Sequence, residues 1–140
     1  MVDGDVRTVL LVEDEPANRA LVAATLSRSR DGRVGELELI EADTLRSARA
    51  VLATTPVDLV LLDIRLPDGS GLDLIDEIAL RPAAKRPRIA IMSASVLPQE
   101  RETFLASGAD TFLGKPCRPI DLMDAIAGLL GASAPSIAGG

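Results

Sequence analysis

Leu59-Val60-Leu61-Leu62 is an unbroken apolar run that stops at Asp63, and no other stretch limits the fold of this chain so tightly. A strand that is apolar on both faces must be covered on both, the condition of a central strand in a parallel sheet packed between helices. The neighbouring sequence supplies the covers in alternation. Residues 6–12 form a β-rich apolar run that ends in Glu13-Asp14-Glu15-Pro16, and proline suits the first turn of a helix. Leu21, Val22, Thr25 and Leu26 hold the helical period until residues 28–35, rich in Arg and Gly, end it. Residues 37–40 predict a second strand, and Leu45, Ala48, Arg49 and Leu52 predict a helix over 42–53 that Pro56 stops.

After the central run, Pro67-Asp68-Gly69-Ser70-Gly71 predicts a turn-rich loop, and Leu72, Ile75 and Ile78 mark one face of the next helix. Residues 81–88 connect onward to a strand over 89–92 that ends at Ser93. A weaker helix over 99–106 is closed by Gly108, a short strand occupies 111–113, and Ile120, Met123, Ile126, Leu129 and Leu130 mark a last helix. Five strands alternating with five helices require right-handed crossovers, hence a doubly wound α/β sandwich. The length of 140 residues suits one domain.

Composition narrows the function. Fifteen Lys and Arg against 21 Asp and Glu give a net charge of -6, the wrong sign for a nucleic-acid backbone or an anionic membrane. Two Phe without Trp or Tyr leave few stacking platforms for bases. With no His, triad chemistry and imidazole-bound metals are excluded, so any metal is oxygen-bound. The single Cys117 permits no internal disulfide and fits a reducing compartment. No apolar run reaches bilayer length and the first residues are acidic, unlike a signal peptide. A cytoplasmic protein with neither nucleic acid nor membrane as direct partner is expected.

In an open α/β sheet, ligands bind outside the carboxyl ends of the strands, where strand order reverses. The polar residues there are Glu13 and Asp14 after the first strand, Asp63 after the third, Ser93 after the fourth and Lys115 just past the fifth. Carboxylates held together call for compensation, and a hard divalent cation supplies it, with Mg²⁺ the natural choice. Mg²⁺ keeps positions for phosphate oxygens. Asp63 then suits attack on phosphorus to give an acyl phosphate, with Lys115 and Ser93 binding the phosphoryl oxygens.

Leu11-Val12-Glu13-Asp14-Glu15-Pro16, Leu61-Leu62-Asp63-Ile64-Arg65-Leu66-Pro67-Asp68-Gly69-Ser70-Gly71, Met92-Ser93-Ala94 and Gly108-Ala109-Asp110-Thr111-Phe112-Leu113-Gly114-Lys115-Pro116 resemble the receiver domain of two-component response regulators, of the single-domain chemotaxis type. The resemblance spans roughly residues 7–130. It implies a flavodoxin-like five-stranded parallel sheet of order 2-1-3-4-5, a receiver domain over 1–131 and a disordered tail over 132–140. It implies phosphorylation of Asp63 by a partner histidine kinase or histidine phosphotransferase, with no catalysis beyond the chain's own phosphorylation and dephosphorylation. Mg²⁺, or Mn²⁺, would be held by Asp14, Asp63 and the backbone carbonyl of Arg65, with Glu13 acting mainly through water. Ser93, the Ala94 backbone and Lys115 would bind the phosphoryl group. Ser93 and Phe112 would form the switch, and Pro116 would follow a cis bond. Output would pass to a downstream protein through the face of the fourth helix, fifth strand and fifth helix, with a phosphorylation-dependent homodimer left open.

Plainer roles compete for several residues. Glu15 serves as a first-turn acid, Phe112 as core, Cys117 as a loop residue, and the basic residues of 81–88 as a solvated face. An aspartate-nucleophile phosphatase of the haloacid dehalogenase type is the enzyme rival, but Arg65 stands where its second Asp would be. A receiver that signals by binding alone would be marked by loss of Asp63, Asp14 or Lys115, and all three are present.

Overall fold

The structure, a computed structural model, describes residues 6–28, 35–94, 97–115 and 117–131. The expected tail over 132–140 and the bond before Pro116 lie outside them. Strands β1 (Arg7–Val12), β2 (Leu37–Ala42), β3 (Leu59–Asp63), β4 (Arg88–Ser93) and β5 (Thr111–Gly114) form one parallel sheet in the order β2-β1-β3-β4-β5. Helices α1 (Pro16–Ser27), α2 (Leu45–Thr54), α3 (Gly71–Ala79) and α4 (Pro98–Ala106) make the four crossovers, and α5 (Pro119–Ile126) follows β5. The expected flavodoxin-like order is observed. The chain leaves β1 for β2 on one side and β3 lies on the other, so the strand order reverses beside β1 and opens a crevice there.

All five residues of β3 are buried, because each face of the strand meets a separate core. Val60 and Leu62 join Leu45, Leu52, Leu74 and Ile78 beneath α2 and α3. Leu59 and Leu61 join Val22, Leu26, Leu122 and Ile126 beneath α1 and α5. The alternation of side chains along a strand divides one apolar run between the two.

Boundaries differ from expectation where a partner strand or a cap outweighs local pattern. Glu41 and Ala42 pair with Leu11 and Val12, so β2 runs two residues further than the predicted 37–40. The second helix starts at Leu45 rather than Ala42, because Thr44 adopts an extended backbone and accepts the Ser47 amide, while Ser47 accepts the Thr44 amide in return. The loop expected over 67–71 begins two residues earlier as a small antiparallel ribbon that pairs Arg65 with Ser70 and Leu66 with Gly69. A short 3₁₀ turn, Ala83–Lys85, interrupts the connector after α3, and α5 widens into a π-type turn over Ala127–Gly131.

Candidate functional site

Each acidic residue of the site is delivered by a strand end that its backbone fixes. Glu13 continues β1, its amide donating to the Ala42 carbonyl at 2.9 Å, and Asp63 is the last residue of β3. Lys115 follows β5, and its amide donates to the Ser93 carbonyl at 2.8 Å. From there the lysine reaches back across the ends of β4 and β3. Its Nζ donates to Glu13 Oε1 at 2.7 Å and to Asp63 Oδ2 at 3.0 Å. Glu13 and Asp63 are 2% and 8% exposed, so both carboxylates are largely out of water and neither is left unpaired. Asp14 is the more exposed of the three acids, and carboxylate oxygens of Glu13, Asp14 and Asp63 lie within 4.8 Å of one another.

The second oxygen of Glu13 and of Asp63 also accepts a backbone amide. Glu13 Oε2 accepts the Glu15 amide at 3.1 Å, and Asp63 Oδ1 accepts the Arg65 amide at 3.2 Å. Arg19, which the sequence reading did not single out, donates from Nη1 to the Glu13 carbonyl at 2.9 Å and pairs with Glu41 at 3.4 Å. It ties the first turns of α1 to the acidic loop. The only signal for it was its place one turn inside a helix that begins at the site.

Burial pushes the Glu13 carboxyl above its ordinary value, against the lowering pull of the bonds from Lys115 and the Glu15 amide, and the Asp63 charge pushes it the same way. Burial alone would lower the Lys115 ammonium, but its bonds to Glu13 and Asp63 outweigh that, and it is held above its ordinary value. Three carboxylates against one ammonium leave two negative charges uncompensated. An all-oxygen donor set with that surplus matches a hard divalent cation, so Glu13, Asp14 and Asp63 can hold Mg²⁺ or Mn²⁺.

The other expected site residues fall as follows. Ser93 ends β4 half-buried opposite Gly114, and Ala94 follows it, exposed. Arg65 is exposed at the start of the ribbon. Phe112 pairs across the sheet with Ile91, which alternation places on the same face as Ser93. Its ring stacks on Phe104 of α4, with centroids 6.1 Å apart, and Arg101 lies over it at 5.9 Å. Phe112 is thus a packing residue between α4 and β5, on the sheet face that Ser93 shares. Cys117 is half-buried and its thiol is pushed up by burial, as for a packed rather than a reactive cysteine.

A family model for the response regulator receiver domain matches residues 9–127. Over 107 residues the chain is 39% identical to the response regulator protein PilR of Pseudomonas aeruginosa, an overlap covering 76% of this chain and 22% of PilR. Across three such curated relatives the chain spans 22% to 52% of the relative's length. Its structure resembles a CheY-like response regulator receiver domain protein from Methanospirillum hungatei JF-1, with a TM-score of 0.76, 25% identity and coverage of 94% of this chain and 98% of that one. It also resembles the receiver domain of a sensor histidine kinase from Pseudomonas aeruginosa PAO1, with a TM-score of 0.75, 26% identity and coverage of 89% and 98%. That receiver domain holds a magnesium ion coordinated in its active-site cleft.

Proposed function

This chain belongs to the response regulator receiver domain family, and on that premise we propose that it is the phosphoacceptor of a two-component relay, with Asp63 as the acceptor. The observation that carries the reading is the site itself. A buried Asp63 at the end of the central strand lies 3.0 Å from the Lys115 ammonium and beside two further carboxylates.

In the proposed reaction an Asp63 carboxylate oxygen attacks the phosphorus of a partner's phosphohistidine. The P–N bond breaks as the P–O bond forms, and the electron pair returns to the imidazole nitrogen, which takes up a proton. Mg²⁺ would supply charge to phosphate oxygens that gather negative charge in this transfer. Asp14 and Asp63, with the Arg65 carbonyl, would hold the cation, and Glu13 would act mainly through water. Lys115 would exchange its bond to Asp63 for one to the phosphoryl group, and the Ser93 hydroxyl and Ala94 amide would bind the other oxygens. The absence of His from the chain agrees with a donor imidazole on another protein.

Ser93 and Phe112 would carry the change to the face of α4, β5 and α5, where a downstream protein or a second copy would bind. Catalysis would extend no further than the chain's own phosphorylation and dephosphorylation. Among the described residues no helix is long and apolar enough to cross a membrane, which agrees with a cytoplasmic location. The test is intact-protein mass after incubation with acetyl phosphate, with and without Mg²⁺. A single base-labile phosphoryl adduct that needs Mg²⁺ and is lost in Asp63→Asn is expected. Steady consumption of acetyl phosphate without an adduct would favour a phosphatase instead, and neither adduct nor consumption a binding-only module.

A further inference from the structure

The amino terminus of α2 is capped from a distance. The Leu45 amide donates to Asp68 Oδ1 at 2.8 Å and the Arg46 amide to Asp68 Oδ2 at 3.0 Å, across 23 and 22 residues of chain. The helix's own cap, Thr44, serves only the next amide, that of Ser47, at 3.0 Å. Two of the orphan N–H groups that open every helix are therefore satisfied by the loop that follows the phosphoacceptor.

Apart from Leu66, which packs on the core beneath α2 and α3, that loop has little else to hold it. Its ribbon is two residues long on each side, too short to fix its own register. Its ends are tied by the Gly71 amide to the Ile64 carbonyl at 2.7 Å and by the Arg65 amide to Asp63 Oδ1. Its tip rests on α2. Gly69, at φ +146°, lies so close to Leu45 that a Cβ there would come within 2.9 Å of Leu45 Cδ1. The same short loop carries the Arg65 carbonyl at one end and the Asp68 carboxylate at its tip.

We propose that Asp68 is a positioning residue that pins the Arg65 loop to the first turn of α2, so that the cation site and the start of α2 are coupled. The inference rests on the Mg²⁺ reading above. Coupling is reciprocal: if the pinned loop favours the cation, the bound cation must tighten the pin. The start of α2 then responds to the site on the side of the sheet away from α5.

The test sets Asp68→Ala against Thr44→Ala, which removes the other cap of the same helix without touching the loop. Both variants of the full chain should lower Tm by about 3–5 °C, the size of a lost helix cap. Only Asp68→Ala should weaken Mg²⁺ binding, by about tenfold in calorimetric titration, the size of a typical coupling between two sites. Asp68→Asn, which keeps an acceptor oxygen, should fall between and serves if the alanine variant folds poorly. In amide exchange followed by NMR, Mg²⁺ should raise the protection of Leu45 and Arg46 in the wild type and not in Asp68→Ala. Equal Mg²⁺ affinity in the wild type and the Asp68 variants would overturn the proposal, as would an equal loss in Thr44→Ala. A wild-type chain that binds no Mg²⁺ would contradict the metal reading and remove the proposal with it.

Discussion

Lys115 sets one positive charge against three carboxylates, and it is the residue on which the site's balance turns. Removing it leaves Glu13 and Asp63 facing one another without a cation, the situation in which a buried charge costs most. Lys115→Ala should therefore lose about 3 kcal/mol in urea unfolding with EDTA present, and the deficit should shrink when Mg²⁺ is added. A deficit that does not change with Mg²⁺ would refute the charge balance proposed here. The identities of Asp63, Asp14, Ser93 and Lys115 as candidates were legible because each ends or follows a strand. The bond between Lys115 and Glu13 was not, since its partners lie 102 residues apart and meet only through the order of strands between them. Arg19 escaped for a similar reason: its role lies in a bond to a backbone carbonyl, which no side-chain pattern records.

Between Asp63 and α3, backbone must pass close to backbone, and Gly71 marks where. A Cβ at Gly71 would overlap the Asp63 carbonyl oxygen and press on Ile64 Cα and Leu62 Cγ at 3.1 Å, so Gly71→Ala should cost about 2–3 kcal/mol in urea unfolding. Gly128 has nothing within 4 Å of such a Cβ, and Gly128→Ala should be neutral or mildly stabilising. Equal effects at the two positions would contradict the packing described around β3. At the same loop, the backbone amides of Leu45 and Arg46 hold the Asp68 carboxyl below its ordinary value of 3.8. A depressed carboxylate contributes above its unfolded value and stops contributing as pH falls through its folded value. Exchange protection of the Leu45 and Arg46 amides should accordingly fall at acid pH before that of Ser47, which a neutral hydroxyl caps. Elements of this kind were only half legible. The turn residues 67–71 announced a reversal, but the ribbon depends on pairing that local propensity does not fix, and the start of α2 depended on Glu41 and Ala42 finding partners in β1.

Across the whole molecule, the apolar run of β3 divides two cores, and the fold stands on both. Leu61 and Leu62 are each 0% exposed, one beneath α1 and α5 and the other beneath α2 and α3. Leu61→Ala and Leu62→Ala should each cost about 3 kcal/mol in urea unfolding, and a small effect at either would mean that one face of the sheet is poorly covered. The architecture was the most legible part of the chain, because alternating elements and a two-faced apolar strand admit few arrangements. The site's convergence followed from the polar residues that end the strands, and strand order from the family resemblance, which the structure and the match over residues 9–127 bear out. The central claim is that Asp63 takes the phosphoryl group, and locating the label tests it most directly. After incubation with acetyl phosphate and Mg²⁺, borohydride converts an aspartyl phosphate to homoserine, and peptide mass mapping shows which residue changed. The account predicts conversion at Asp63 alone and none without Mg²⁺; conversion at Asp14 or another carboxylate, with Asp63 intact, would contradict it.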